Sequence, residues 1–222
     1  PLSDDILLKV VSEIHDPGTT TDELIPSGET SSFRSNPLGL AEFTLSRKDP
    51  AYVGRAKAVR DKSEEVKAEV SRAEKILEEK YPEFKGRIEK AGLGSTIYAV
   101  KPGDGSAREQ AASCQRVLGA SANIASDYAT KRYRSNLINW GMIPFLYKQG
   151  DAAATENLPF ANGDYIFVPG AKKMIAEKLP GVKAYAVRAD GTTAEFELST
   201  GDMTDDERKI IQAGCLINFY RG

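Results

Sequence analysis

The sequence has 222 residues, of which 41% are hydrophobic and 28% charged, and its formal net charge is −2 at pH 7. This length and hydrophobic content suffice for one domain with a sizeable core, and we expect a single domain over residues 1–222. The near-neutral charge favours neither nucleic acid nor an anionic membrane as a partner. No signal peptide is apparent in residues 1–11, and the uncharged residues 135–147 are too few to span a bilayer. We therefore expect a cytoplasmic protein.

Residues that bind metals are scarce. Cys114 and Cys215 are the only cysteines, and His15 is the only histidine. Two cysteines so far apart cannot supply the cysteine framework of an iron–sulfur cluster. The sequence therefore predicts no metal or cofactor site within this chain, and Cys114 is expected to face the core as a small hydrophobic residue.

Strand and helix patterns alternate along the chain. Short apolar runs bounded by turn residues predict strands, whereas apolar residues at three- and four-residue steps predict helices. The longest helical pattern covers residues 52–80, with an apolar stripe from Ala56 to Leu77. Strands are predicted at residues 6–11, 97–100, 121–126, 164–168, 182–188 and 193–198, and further helices at 127–140 and 204–213. Thr204 and Glu207 predict a capping box at the start of the last helix. The pattern is typical of a mixed α/β protein.

The segment Gly103-Asp104-Gly105-Ser106-Ala107-Arg108-Glu109 follows one predicted strand and opens an alanine-rich helix. Its glycines allow the backbone to turn sharply. Ser106 is predicted at the helix N-cap, beside free N–H groups and the positive end of the helix dipole, and Arg108 adds a cation. The same residues fit a capping box, S-x-x-E, which requires no function. Both interpretations stay open, because capping and anion binding use the same N–H groups.

Two further segments stand out by their turn residues. Thr20-Thr21-Asp22-Glu23-Leu24-Ile25-Pro26-Ser27-Gly28 has the composition of a turn-rich loop, and Arg34 follows six residues later. Asn136-Leu137-Ile138-Asn139-Trp140-Gly141-Met142-Ile143-Pro144 combines a helical pattern with a glycine and a proline that stop a helix.

In this order, the three segments resemble motifs of the aconitase superfamily. The Ser106 segment is similar to the G-S-S-R-E motif of the family's small, mobile swivel domain. The segment from Thr20 is similar to the early T-T-D-x-I-x-P-x-G loop, and the segment from Asn136 is similar to N-L-x-x-x-G-x-x-P. The resemblance covers roughly residues 8–34 and 95–147 well. It implies an α/β fold, the layered β/β/α swivelling domain of the aconitase type.

The resemblance also implies roles for individual residues. Ser106 matches the catalytic base, and Arg108 and Arg34 match arginines that bind substrate carboxylates. Thr21 and Asp22 would shape the loop beside them.

The chain departs from the family pattern at two positions. Ala107 replaces the second serine of G-S-S-R-E, and Glu23 stands where aconitases usually have histidine.

Three functional hypotheses follow from the resemblance. The first is the swivel domain of an aconitase-like hydro-lyase acting on a hydroxy-polycarboxylate such as citrate or isocitrate, and Arg34 favours it. The second is the small subunit of an enzyme of the 3-isopropylmalate dehydratase type. The third is a carboxylate-binding module without chemistry, which Ala107 and Glu23 favour.

The first hypothesis carries further expectations about cofactor and partners. The complete enzyme would hold a 4Fe–4S cluster on cluster-bearing domains or a large subunit absent from this chain, so the isolated chain would be inactive. The chain is then the C-terminal part of a larger hydratase, and neither nucleic acid nor a membrane is expected as a partner.

Overall fold

A computed structural model describes residues 1–26, 37–148 and 157–221. Its strands are β1 (Ile6–Ile14), β2 (Thr19–Thr20), β3 (Gly92–Ala99), β4 (Pro102–Asp104), β5 (Ala120–Ala125), β6 (Ile143–Leu146), β7 (Tyr165–Val168), β8 (Val182–Val187) and β9 (Thr193–Leu198). Its α-helices are α1 (Thr21–Leu24), α2 (Pro37–Ala41), α3 (Tyr52–Arg60), α4 (Glu64–Lys80), α5 (Arg87–Lys90), α6 (Arg108–Val117), α7 (Lys131–Asn139), α8 (Ala171–Ala176), α9 (Asp205–Ala213) and α10 (Leu216–Arg221). None of these helices is long and apolar enough to cross a membrane.

Seven of the strands form one mixed sheet in the order β6-β5-β3-β1-β7-β8-β9. Strands β6, β5, β3 and β1 run parallel to one another, whereas the pairs β1–β7, β7–β8 and β8–β9 are antiparallel. The sheet curls so far that its two ends meet: Leu146 at the end of β6 and Ser199, just after β9, exchange backbone hydrogen bonds of 2.6 and 3.0 Å. The mixed α/β class predicted from the sequence is confirmed.

Strand β1 lies at the centre of the sheet and is buried on both faces. Leu8 and Val10 pack into one apolar cluster with residues of β5 to β8, whereas Leu7 packs on the opposite face under α4. Successive side chains of a strand point to opposite faces, so an almost continuous apolar run is what a central strand requires.

The prediction of one long helix over residues 52–80 is wrong in one respect, because the structure has two helices there, α3 and α4. Lys62 between them has φ +50°, a left-handed conformation that no α-helix continues through. Ser63 then caps α4, its hydroxyl accepting a 3.2 Å hydrogen bond from the amide of Val66. The apolar stripe continues across the break, because each of the two helices turns its apolar face towards the core.

Replacing the Ser63 cap should destabilise the protein. Ser63→Ala leaves the first amides of α4 without a side-chain acceptor, and we expect a loss of about 1 kcal/mol in the free energy of unfolding. Urea denaturation followed by circular dichroism measures it. Ser71→Ala is the matched control, because Ser71 is exposed within the same helix and should cost nothing. Equal effects of the two substitutions would contradict the cap.

Candidate functional site

The first two motif segments meet because the strands before them are neighbours. β1 and β3 are parallel and paired, with Ile14 opposite Ala99, so both chains leave the sheet at the same edge. They stay together beyond it: Thr19 pairs with Pro102 and Thr20 with Asp104, which makes β2 and β4 a separate parallel pair. The carboxyl edge of parallel strands is where α/β proteins commonly bind ligands.

Thr21 joins the two segments directly. Its side chain is 2% exposed, and its Oγ1 accepts a 3.3 Å hydrogen bond from the amide of Ala107. Gly105 lies so close that a Cβ there would stand 2.2 Å from the same oxygen, and its φ is +128°. Any other residue would both collide with Thr21 and adopt a strained backbone. Thr21 thus holds the turn before α6.

The predicted N-cap of α6 was wrong. The helix begins at Arg108 with Ala107 as its N-cap, and no side chain makes the capping hydrogen bond. Ser106 lies one residue earlier, and the capping box predicted for Ser106 and Glu109 does not form. The physical reason is that the backbone of Ala107 (φ −86°, ψ 44°) is not helical, so the helix begins one residue later than the capping box requires. Ser106 is exposed and forms no hydrogen bond with the described residues, so it can meet a ligand.

Arg108 lies in the first turn of α6, partly buried. Its Nε is buried and has no hydrogen-bond partner in the part of the chain that the structure describes. A buried N–H without an acceptor is costly, so this guanidinium is suited to an acceptor supplied from elsewhere. Arg34, the second predicted carboxylate-binding arginine, lies outside the described residues.

The loop residues Asp22 and Glu23 are on the short helix α1. Asp22 is exposed and its carboxylate lies 3.6 Å from the guanidinium of Arg47. Glu23 forms a capping box with Thr20, in which each side chain accepts a hydrogen bond from the other residue's backbone. Its other carboxylate oxygen lies 3.1 Å from Nζ of Lys48.

The role of Glu23 could have been found from the sequence. Thr20-x-x-Glu23 has the T-x-x-E pattern of a capping box, the same pattern that correctly predicts the box of Thr204 and Glu207. The departure from histidine at position 23 is therefore a structural substitution: the glutamate caps α1 and pairs with Lys48.

The buried thiol of Cys114 does not fit a metal cluster. Cys114 is 1% exposed, and burial raises the pKa of its thiol to about 11, so it stays protonated, whereas a ligand must be a thiolate. Over the described ranges, His, Cys, Asp and Glu side chains form no group of three or more that could hold a metal ion.

Removing the hydroxyl of Thr21 should lower the free energy of unfolding more than removing the hydroxyl of Ser106. Thr21→Val removes the acceptor of the Ala107 amide at almost constant volume and should cost about 1–2 kcal/mol. Ser106→Ala should change stability by less than about 0.5 kcal/mol, because Ser106 is exposed. Both are measured by urea denaturation. A larger loss for Ser106→Ala than for Thr21→Val would restore Ser106 as the cap.

The Glu23 contacts should stabilise the protein only while the carboxylate is charged. Burial raises the pKa of Glu23, but the Thr20 amide and hydroxyl and the Lys48 ammonium together lower it below its usual value. The stabilisation is therefore complete above the pKa of the unfolded chain and is lost as the pH falls through the lower native pKa.

Glu23→Gln should accordingly reduce the free energy of unfolding at pH 7 by up to about 1 kcal/mol, the upper range for exposed ion pairs. The difference from the parent protein should shrink towards pH 3, where both chains lack the charge. Urea denaturation at several pH values measures it. In a Lys48→Met background the same substitution should cost less at pH 7, and an equal cost in both backgrounds would contradict the pairing.

Comparisons with known proteins show which family and which fold the chain resembles. Residues 53–150 match the family model of the aconitase C-terminal domain. Aconitate hydratase A of Rickettsia bellii is 27% identical over 129 residues, which are 58% of this chain and 14% of that protein. The enzyme of the same name from Rickettsia felis is 29% identical over 124 residues, 55% of this chain and 14% of that protein. The matched segment is thus a small part of both relatives.

A solved structure extends the likeness to the whole fold. The crystal structure of 3-isopropylmalate dehydratase from Methanocaldococcus jannaschii superposes with a TM-score of 0.55 and 20% sequence identity, covering 98% of this chain and 93% of that one. At this identity the match concerns the fold. In sequence and in fold, the chain therefore resembles the C-terminal swivel domain of the aconitase superfamily.

Proposed function

We propose that this chain is the swivel domain of an aconitase-like hydro-lyase, which removes water from a hydroxy-polycarboxylate such as citrate or isocitrate and adds it back. One observation carries the proposal. Ser106 is exposed, and Arg108, two residues later, has a buried Nε without an acceptor among the described residues. Both belong to residues 103–108, the Ser106 turn, which Thr21 holds at the carboxyl edge of β1 and β3.

Such a site must remove a proton from a carbon beside a carboxylate, which is a very weak acid. A base working near pH 7 succeeds only if the negative charge that develops is stabilised. In the proposal, Ser106 accepts this proton at Oγ. The amides at the start of α6 and the guanidinium of Arg108 follow Ser106 directly in the chain, and both favour a negatively charged oxygen.

The arginines hold the substrate. Arg108 offers a two-pronged guanidinium that matches a carboxylate, and its buried Nε would gain the acceptor it lacks. We include Arg34 as a second carboxylate anchor on the strength of the resemblance. Thr21 acts by holding the Ser106 turn, and Asp22, beside it on α1, lines the same loop.

The cofactor and partners of the proposal lie outside this chain. The complete enzyme would hold a 4Fe–4S cluster on cluster-bearing domains or a large subunit, and the isolated chain would then be inactive. We propose a cytoplasmic enzyme whose partners are those domains and the polycarboxylate, without nucleic acid or a membrane. Whether the parts are one polypeptide or two subunits does not change the roles proposed here.

A second candidate is the small subunit of an enzyme of the 3-isopropylmalate dehydratase type. The near-complete coverage of both chains in the superposition favours it, because it extends over 93% of the archaeal chain. A third, a carboxylate-binding module without chemistry, is supported by Ala107 where the family has its second serine. Turnover of citrate, isocitrate and 2- or 3-isopropylmalate by the complete enzyme distinguishes the three.

Substitutions at the turn test the roles. In the complete enzyme, Ser106→Ala should lower kcat by about a hundredfold or more with a smaller effect on KM, because it removes the base and little of the binding. Arg108→Lys should mainly raise KM, since lysine keeps the charge and loses the fork. Steady-state kinetics of aconitate formation measure both.

The matched control is Arg87→Lys, at an arginine that pairs with Asp5 near the opposite end of β1. It should leave kcat and KM unchanged. Normal turnover by the Ser106→Ala enzyme would overturn the assignment of Ser106 as the base.

A further inference from the structure

Three polar side chains lie fully buried behind the Ser106 turn, in otherwise apolar surroundings. They are Gln115 on α6, Asn123 on β5 and Tyr133 on α7, and each is 0% exposed. Polar groups at such depth destabilise a protein unless their hydrogen bonds are satisfied within it. None of the three forms a hydrogen bond with Ser106 or Arg108, so their presence needs another reason than direct contact with substrate.

The three side chains form a closed ring of hydrogen bonds. Nε2 of Gln115 donates to the hydroxyl of Tyr133 at 2.9 Å, and that hydroxyl donates to Oδ1 of Asn123 at 2.6 Å. Nδ2 of Asn123 closes the ring by donating to Oε1 of Gln115 at 2.7 Å. Burial raises the pKa of Tyr133, which keeps its hydroxyl protonated and donating. The ring therefore ties two helices and a strand together with directional bonds.

Tyr133 also touches the turn itself. Gly103 packs against its ring so closely that a Cβ on Gly103 would stand 2.4 Å from Cγ of the tyrosine. Thr130, which caps α7, also binds this glycine: its hydroxyl donates a 3.2 Å hydrogen bond to the Gly103 carbonyl. The start of the Ser106 turn thus rests on α7.

The other end of the turn is fixed by the same ring. Gln115 and Arg108 are on one helix, seven residues apart, so they lie on the same face two turns from each other. Gln115 also donates to the carbonyl of Ala111 at 2.9 Å, which holds its side chain along the helix. Rotation of α6 about its axis, which would move Arg108, breaks the ring.

We propose that the Gln115–Asn123–Tyr133 ring is a positioning device that sets the place of Ser106 and Arg108 by holding Gly103 at one end of the turn and α6 at the other. As a statement about catalysis it rests on the proposed function. The placement of the turn does not depend on the proposed function. Two different measurements therefore test the placement of the turn and its effect on catalysis.

The first readout is amide hydrogen exchange of the complete protein, measured by mass spectrometry on peptides that cover residues 102–110. Tyr133→Phe keeps the aromatic ring against Gly103 and removes only the hydroxyl. Gln115→Met breaks the ring from α6 and serves where Tyr133→Phe does not fold. Both should speed exchange in these peptides by about tenfold, because local opening becomes easier.

The matched control is Tyr128→Phe. Tyr128 is also buried, and its hydroxyl contacts the backbone carbonyls of Phe145 at 2.9 Å and Asn123 at 3.4 Å. It bonds none of the three side chains that form the ring. Its loss should destabilise the protein to a similar extent and leave exchange at the turn unchanged. Equal exchange in the ring variants and the control overturns the proposal.

The second readout is turnover of isocitrate by the complete enzyme. Ring variants should lower kcat by about tenfold or more, and by a larger factor than they raise KM, because a small displacement of a catalytic group is costly. Tyr128→Phe should keep kcat within twofold. Faster exchange with unchanged kcat overturns the catalytic part.

An inactive parent enzyme would instead overturn the proposed function. The exchange experiment alone then upholds or overturns the positioning of the turn.

Discussion

The parallel pairing of β1 with β3 is the constraint on which the candidate site depends. It makes two chain segments leave the sheet at one edge, and the pairing of Thr19 with Pro102 keeps them together beyond it. The hydrogen bond from Ala107 to Thr21 is possible only because of this alignment. Strands of a parallel sheet require crossover connections, so residues distant in the chain necessarily meet at such an edge.

The surroundings of the turn divide the work between apolar packing and polar bonds. The curled sheet buries apolar side chains on both of its faces, which stabilises the fold. Because this stabilisation is non-directional, it does not fix the exact position of the turn. The buried ring of Gln115, Asn123 and Tyr133 adds directional contacts in the same core. Buried hydrogen bonds tolerate little change in geometry, so they suit the placement of a turn better than apolar contacts do.

The departures from the aconitase pattern have different structural meanings. Glu23 has its own partners in Thr20 and Lys48, so its neighbourhood is complete without histidine. Ala107 donates its amide to Thr21, a contact that any residue other than proline could make. Both residues thus have contacts of their own at the turn, and neither contact involves the side chain of Ser106 or Arg108.

Local patterns in the sequence determined much of this protein. The apolar runs predicted six of the seven strands of the sheet, all except β6, and Thr204 with Glu207 correctly predicted the capping box of α9. The three motifs predicted an aconitase-type swivel fold. These features depend on residues two to four positions apart, whose interactions repeat with the period of a strand or a helix.

The tertiary structure alone decided the details of the site. The pattern S-x-x-E at Ser106 predicted a capping box that does not form, because the backbone of Ala107 is not helical and α6 begins at Arg108. The amide of Ala107 donates to Thr21, 86 residues away in sequence. The pairing of Glu23 with Lys48 and the contact of Gly103 with Tyr133 likewise join distant segments. Sequence periodicity carries no information about such partners, because they meet only when the strands have paired and the helices have packed on the sheet.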